Sequence, residues 1–384
     1  AAGRAGIKET GRPDIALLVA ESPCAAAGVY SHNAVRAYCV DWNEQHLPSP
    51  NIRALLVNSG NANACTGAQG IDDAQRVIKE TASVCGIEDD SVLIASTGVI
   101  GRVLPMDSIM QAIPALPSAA APTPRAANHF ARAIMTTDTR PKEYACKVTV
   151  GEHTYTIGGC AKGSGMIHPN MATLLAFVTT DAVVSPSVLQ SLLKRVVDRT
   201  FNNLTIDGDS STNDMTLVLA SGASGVRIRT TEDKKLFEQA LYEVCNDLCA
   251  QLAADGEGCS KRIEVQVRGA KTLQDARSAA RTIASSNLVK TAMFGNDPNW
   301  GRIACAIGRS GVRFSREKMH IAIGDFPVCI GLQPWPFPHK QMQHALRRKV
   351  VRISVDLGLG NHTATAHTCD LTYDYIRINA DYTT

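Results

Sequence analysis

Aromatic residues are scarce in this chain: phenylalanine, tryptophan and tyrosine make up 5% of its 384 residues. They do not interleave with basic runs, and a formal net charge of +3 is too small to grip a polyanion, so no nucleic-acid partner is expected. The densest basic cluster, Arg347-Arg348-Lys349, reads as a solvated segment ahead of a strand. No apolar stretch approaches the ~20 residues that span a bilayer, and no signal peptide is visible, so no membrane association is expected. A dinucleotide-binding glycine fingerprint is missing, as are internal repeats and low-complexity segments. The twelve cysteines include no C-x-x-C. Cys245 and Cys249 stand one helical turn apart, yet no histidine lies near to complete a zinc set. Reduced, buried thiols of a cytosolic enzyme are the expectation, with no metal and no resident cofactor.

What is present is ordinary globular material, 45% hydrophobic and 20% charged. The length predicts two or three domains of ~150 residues each. Helical and strand patterns alternate, which predicts an α/β chain. Asp72 to Cys85 carries Ala74, Val77, Ile78 and Cys85 on one helical face, with Gly86 placed to end it. Val92 to Ala95 reads as a short buried strand delivering Thr97-Gly98 to a turn. Pro114 to Arg125 is predicted as loop, and Lys147 to Ile157 as a hairpin turning near Gly151. Ser185-Pro186 opens a helix, Asp233 to Ala253 forms a longer one, and Thr272-x-x-Asp275 caps a third that ends at Ser285. From Asn287 onward the pattern shifts to strands, including Val351, Ile353 and Val355, and a domain boundary is placed there. Gln333 to Arg348 reads as a surface insertion.

The most informative stretch is K-G-S-G-M-I-H-P-N-M-A-T, Lys162 to Thr173, followed at once by Leu174-Leu175-Ala176-Phe177-Val178. A glycine-rich, proline-stiffened loop runs straight into an apolar segment, so packing fixes Thr173 at the edge of the core. Cleavage between Ala172 and Thr173 would give Thr173 a free α-amine, of ordinary pKa ~7.7–8.0, within reach of its own hydroxyl. That amine can serve as the base a threonine nucleophile needs. The plain alternative is a β-branched residue opening a strand. Lys162 beside glycines invites a phosphate-loop reading, which fails because the order is Lys-Gly rather than Gly-Lys-Ser/Thr. Asp207, Asp209 and Asp214 are read as a turn network rather than a calcium loop, which needs a longer ligand set.

These segments resemble the ornithine acetyltransferase family (glutamate N-acetyltransferases of arginine biosynthesis) almost end to end. The matching pieces are A-G-I-K-E-T-G-R-P-D-I-A-L from Ala5, N-S-G-N-A-N-A-C-T-G from Asn58 and A-S-T-G-V-I-G from Ala95. T-T-D-T-R-P-K from Thr136 and the Lys162–Thr173 block follow. T-I-D-G-D-S-S-T-N-D from Thr205, D-G-E-G-C-S-K from Asp255, F-G-N-D-P-N-W-G-R from Phe294 and the terminal R-I-N-A-D-Y-T-T complete the set.

The resemblance implies a four-layer αββα sandwich of the self-processing N-terminal-nucleophile type over residues 1–285, with a smaller α/β domain at 286–384. Scission between Ala172 and Thr173 would yield an alpha chain, 1–172, and a beta chain, 173–384, assembled as a heterotetramer of two each. Thr173 is then the nucleophile in both scission and acetyl transfer, and Thr97 and Gly98 are the oxyanion donors. Lys162 is expected near the nucleophile or the substrate carboxylate, and Glu257 at the substrate amine. Asn379 and Thr384 would close over the substrate, with Thr136 and Thr137 as further contacts. Where the family more often has Ala-Thr after this Glu-Gly, the chain has Cys259-Ser260. His168 is not needed as a base once the amine of Thr173 exists.

The implied reaction moves acetyl from N-acetylornithine to glutamate, and no motif decides whether acetyl-CoA is also a donor. A self-processed aminopeptidase or amidase of the same architecture differs only in admitting water to the acyl-enzyme. A nucleotide-binding or purely structural protein has no phosphate loop to support it. The expected location is cytoplasmic, or mitochondrial or plastid if a transit peptide preceded Ala1.

Overall fold

The computed structural model describes residues 1–168 and 174–381. A first sheet gathers β1 (Ala2–Gly3), β2 (Ile15–Tyr30), β3 (Ser49–Asn61) and β4 (Val92–Val99). It continues with β5 (Lys142–Val150), β6 (His153–Lys162), β7 (Leu175–Thr180) and β8 (Met215–Ala220). The order is β4-β3-β2-β8-β7-β6-β5, with β1 alongside β2. Strand β2 serves twice. Its residues 15–19, then Cys24 and Ala26, pair with β3 and its residues 25–30 with β8; the register with β3 breaks between Val19 and Cys24, where Ser22-Pro23 interrupts the ladder.

That break lets the two halves of the sheet face each other. Leu175, Phe177, Leu217 and Leu219 from one half share a core with Leu55, Leu56, Leu93 and Ile94 from the other. Helices α1 (Tyr38–His46), α2 (Gly67–Cys85), α3 (Met106–Ala112) and α4 (Pro124–Ala133) belong to that core. The opposite face of β7 and β8 is covered by α5 (Pro186–Arg199) and α6 (Thr231–Ala253). Phe237, Leu241, Val244 and Leu248 of α6 are fully buried there, each such side chain contributing ~1.5–3 kcal/mol. Helix, sheet, sheet and helix therefore stack as expected. The edge of β4 is closed by Asn43 of α1, which donates to Ile94 O at 2.7 Å and accepts from Ile94 N at 3.1 Å in place of a neighbouring strand.

A second sheet contains β9 (Arg262–Ala270), β10 (His320–Ile323), β11 (Phe326–Ile330), β12 (Gln333–Pro334), β13 (Val350–Asp356) and β14 (His362–Cys369). Its order is β12-β11-β10-β13-β9-β14. Its core takes in α7 (Leu273–Ala284), α8 (Asn287–Phe294), α9 (Trp300–Arg309) and α10 (His339–Leu346), while α11 (Tyr373–Asp381) follows the last strand. Strand β9 pairs in parallel with β13 near the sheet's centre, so this core begins at Arg262, ahead of the change placed at 286. No helix among the described residues is long and apolar enough to cross a membrane.

Three local expectations need correction. The segment from Asn287 does not turn to strand at once: α8 and α9 come first, capped by Ser286 accepting from Val289 N and Asn299 accepting from Arg302 N. The end of the 114–125 loop is already helix, because Thr123 accepts from Ala126 N with Pro124 at the first helical position. The 333–348 segment is not wholly superficial, since Met342 and Leu346 of α10 are buried in the second core.

Candidate active site

A cavity of ≈ 370 Å³ lies at the ends of β4, β6 and β7. Thr97, Gly98, Thr136, Thr137, Lys162, Glu257 and Asn379 all line it. Residues from positions 97 to 379 thus meet in one place. Thr173, Ala172 and Thr384 lie outside the described residues.

Thr97 and Gly98 end β4, where the parallel pairing with β3 slips so that Asn61 faces both Thr97 and Val99. Gly98 has φ +134°, and a Cβ there would sit 2.2 Å from the Gly60 carbonyl carbon and 2.5 Å from Asn61 N. Only glycine fits. Lys162 is the last residue of β6, paired with Leu175, and its Nζ donates to Thr97 Oγ1 at 3.2 Å. Burial lowers the Lys162 pKa below that of an ordinary lysine, with Lys142 adding to the effect; Asp138, Asp214 and Glu257 oppose it.

Thr137 Oγ1 and Ser164 Oγ are 2.6 Å apart, and Thr136 N donates to Asp138 Oδ2 at 3.0 Å. Glu257 N donates to Ser164 O at 2.8 Å. A Cβ on Gly165 would fall 2.4 Å from Glu257 Oε2, so the loop closes on this carboxylate because glycine stands there. From α11, Asn379 Nδ2 donates to Glu257 Oε2 at 2.9 Å. Gly258, at φ +64°, lies so close to α11 that a Cβ would be 2.5 Å from Tyr375 N. The C-terminal helix is therefore docked over the cavity.

Asp207 accepts from Met166 N at 2.6 Å and Ile167 N at 2.9 Å, which anchors the loop after Lys162 as a turn network would. Burial raises its pKa against those bonds. Among the described residues no three His, Cys, Asp or Glu side chains are grouped to hold a metal. His168 Nδ1 is 3.0 Å from Thr205 Oγ1, and burial lowers its pKa.

The sequence reading assigned no role to the ion cluster supporting this site. Lys142 is fully buried between Asp138 and Asp255, forming a salt bridge to each. Asp138 also accepts from Gly163 N at 2.7 Å. Burial alone would raise its pKa, yet Lys142 and Lys162 outweigh that and hold it at about 2. Thr139 joins its N–H and hydroxyl to Asp255. The signal was present: Asp138 lies in T-T-D-T-R-P-K, Lys142 is four residues on, and Asp255 begins D-G-E-G-C-S-K. Asp214 and Tyr375 also line the cavity without having been assigned to it.

A larger cleft, ≈ 1060 Å³, opens near Leu17, Phe130 and Phe177. Two of its charged groups are already engaged: Arg53 Nε donates to Ala20 O at 2.8 Å, and Glu143 Oε2 accepts from Asn128 Nδ2 at 2.5 Å. The smaller cavity is where polar groups converge. It holds hydroxyls, a cation of weakened basicity and carboxylates, a set suited to a zwitterionic amino acid and to an anion developing on a carbonyl oxygen.

The sequence profile of the ArgJ family matches residues 1–384. A Synechococcus protein named arginine biosynthesis bifunctional protein ArgJ is 47% identical over 99% of this chain and 94% of its own length. Its namesake from Symbiobacterium thermophilum is 48% identical over 97% of this chain and 93% of its own. The crystal structure of arginine biosynthesis bifunctional protein argJ from Bacillus halodurans is similar at a TM-score of 0.53 and 47% identity, covering 55% of this chain and 100% of that one.

Proposed function

Because this chain belongs to the ArgJ family, we propose that it is a self-cleaving glutamate N-acetyltransferase of arginine biosynthesis. It moves acetyl from N2-acetylornithine to glutamate through an acetyl ester on Thr173. The observation that carries this reading is the meeting of Thr97, Gly98, Lys162, Glu257 and Asn379 in one cavity.

In maturation the Thr173 hydroxyl attacks the Ala172 carbonyl, the acyl group passes from nitrogen to oxygen, and water hydrolyses the ester. The freed α-amine then takes the hydroxyl proton as Thr173 attacks the acetyl carbonyl of N2-acetylornithine. The tetrahedral oxyanion is met by Thr97 and Gly98, and its collapse returns the proton to the departing α-nitrogen of ornithine. The α-amine of glutamate attacks the ester, releasing N-acetylglutamate and the free hydroxyl. Lys162 holds a substrate carboxylate, Glu257 a substrate amine, and Thr136, Thr137, Asn379 and Thr384 complete the pocket. Burial of the ester limits its loss to water.

The relatives are named bifunctional, and acetyl-CoA as a second acetyl donor is the second activity proposed here. An assembly of two alpha and two beta fragments in the cytoplasm completes the proposal. The test is ornithine release from N2-acetylornithine with and without glutamate, repeated with acetyl-CoA, beside the intact mass of the preparation. Glutamate-dependent turnover by two fragments meeting at Thr173 is expected. Acetate release indifferent to glutamate would make the protein a hydrolase instead.

A further inference from the structure

Cys259 and Cys369 take no part in the chemistry described above, yet their side chains are in hydrogen-bonding contact. Cys369 ends β14 and is 2% exposed. Cys259 is half-buried and lines a further cavity of ≈ 580 Å³, beside Thr139, Arg140 and Arg377. The pairing is built into the backbone. Asp370 Oδ1 accepts from Ser260 N at 2.8 Å and from Lys261 N at 3.0 Å, which holds together the residues next to the two cysteines. Cys259 N donates to Gly256 O at 3.0 Å and closes a turn that carries Glu257. A Cβ on Gly256 would fall 2.7 Å from Cys369 Sγ, so the buried sulfur lies against that turn.

The contact lowers the Cys259 pKa, against burial and the charges of Asp370 and Asp255. It raises that of Cys369 well above the ordinary thiol value, and burial adds to the effect. A reachable thiolate with a resolving thiol behind it suits reversible oxidation. We propose that Cys259 and Cys369 form a redox modification site, which hydrogen peroxide converts to a disulfide that draws the Glu257 turn toward β14 and slows acetyl transfer. The Cys259 thiolate attacks one peroxide oxygen, the O–O bond breaks, and the departing hydroxide takes a proton and leaves as water. Cys369 gives up its proton, attacks the sulfenic sulfur and expels its oxygen as a second water. Two thiols and one peroxide thus become one disulfide and two waters. Bonded sulfurs stand ~2 Å apart, closer than any hydrogen-bonded pair, so the turn must shift. A displacement of ~1 Å at a site can cost about a hundredfold in rate. The inference rests on the transferase reading for its kinetic readout alone.

The test treats the purified enzyme with hydrogen peroxide and blocks remaining thiols with N-ethylmaleimide. Peptide mass mapping and glutamate-dependent ornithine release then read the outcome. Wild type should yield peptides joined at positions 259 and 369, and kcat/KM for glutamate should fall about tenfold or more. Dithiothreitol should reverse both changes. Cys259→Ala and Cys369→Ala should keep their activity through the same treatment, and one folded variant suffices as the control. Treated wild type without the joined peptides, or with them and unchanged kinetics, overturns the inference. Inhibition that persists in a folded variant also overturns it, because another thiol, such as the exposed Cys65 or Cys305, would then be responsible. An enzyme with no transfer activity before oxidation sinks the transferase reading instead, and the joined peptides alone then decide the site.

Discussion

The ammonium of Lys162 donates to the hydroxyl oxygen of Thr97 at 3.2 Å. The hydroxyl's own proton is thereby left to point elsewhere, and its polarity is strengthened by the cation behind it. A weakly basic lysine and the proposed oxyanion donor form one unit.

Replacing Thr97 by Ala removes one donor from the developing oxyanion. The expected loss is ~3–4 kcal/mol, or roughly 10²–10³ in kcat, with little change in KM. Thr97→Ser keeps the hydroxyl and should retain most of the rate. Steady-state kinetics on cleaved protein decide it, and a Thr97→Ala enzyme within threefold of wild type would remove Thr97 from the oxyanion hole.

Thr173→Ala should give a single uncleaved chain with no transfer activity, since one oxygen is needed for both events. Mass spectrometry and the ornithine-release assay read the two outcomes independently.

The lowered pKa of Lys162 predicts an alkaline limb in kcat/KM below the ordinary lysine value of 10.5, because the ammonium that serves Thr97 is lost as pH rises through the folded pKa. Its effect on stability has the opposite sense. Between the folded and unfolded values the unfolded chain binds more protons, so the burial penalty is full at lower pH and is relieved as pH climbs toward 10.5. Lys162→Gln should flatten both dependences, as measured by pH–rate profiles and by urea unfolding at several pH values.

Lys142→Met leaves Asp138 and Asp255 buried without their shared cation. A destabilisation of ~3–5 kcal/mol is expected, measured by chemical denaturation. In the native protein the Asp138 contribution is complete above its unfolded value of 3.8 and disappears as pH falls through about 2. The variant should therefore unfold at a higher pH during acid titration.

Gly258→Ala would push a Cβ into the backbone of α11 at Tyr375. The helix that carries Asn379 to Glu257 is then displaced, so KM for glutamate should rise about tenfold while the protein still folds and cleaves. Unchanged kinetics would separate α11 from substrate binding.

The residues facing the cavity were legible through the family resemblance that their short motifs carry, since the local pattern alone fits ordinary turns equally well. Thr97-Gly98 ends an apolar strand, Lys162 ends another, and Glu257 sits between two glycines, patterns that a short window of sequence contains. The ion cluster beneath them was not. Whether Lys142 is solvated or sealed between two aspartates depends on Asp255, which is 113 residues away. Helices α8 and α9 were missed for the opposite reason: each is short and apolar enough to imitate strand, and only the Ser286 and Asn299 caps mark where it starts. The second core's early start depends on β9 finding β13, a parallel pairing of residues 88 positions apart that no local periodicity encodes.

The first sheet alternates its chain ancestry. Strands β6 and β7 lie on opposite sides of the proposed cut yet are joined from Ile157↔Thr180 to Lys162↔Leu175, and β2 is joined to β8 from Ala25↔Ala220 to Tyr30↔Met215. Severing the backbone would thus yield two pieces woven through one another, inseparable by simple dilution. Once melted apart they could recombine only by collision, so recovery after denaturation would become second order in protein, although the same molecule folded the first time alone.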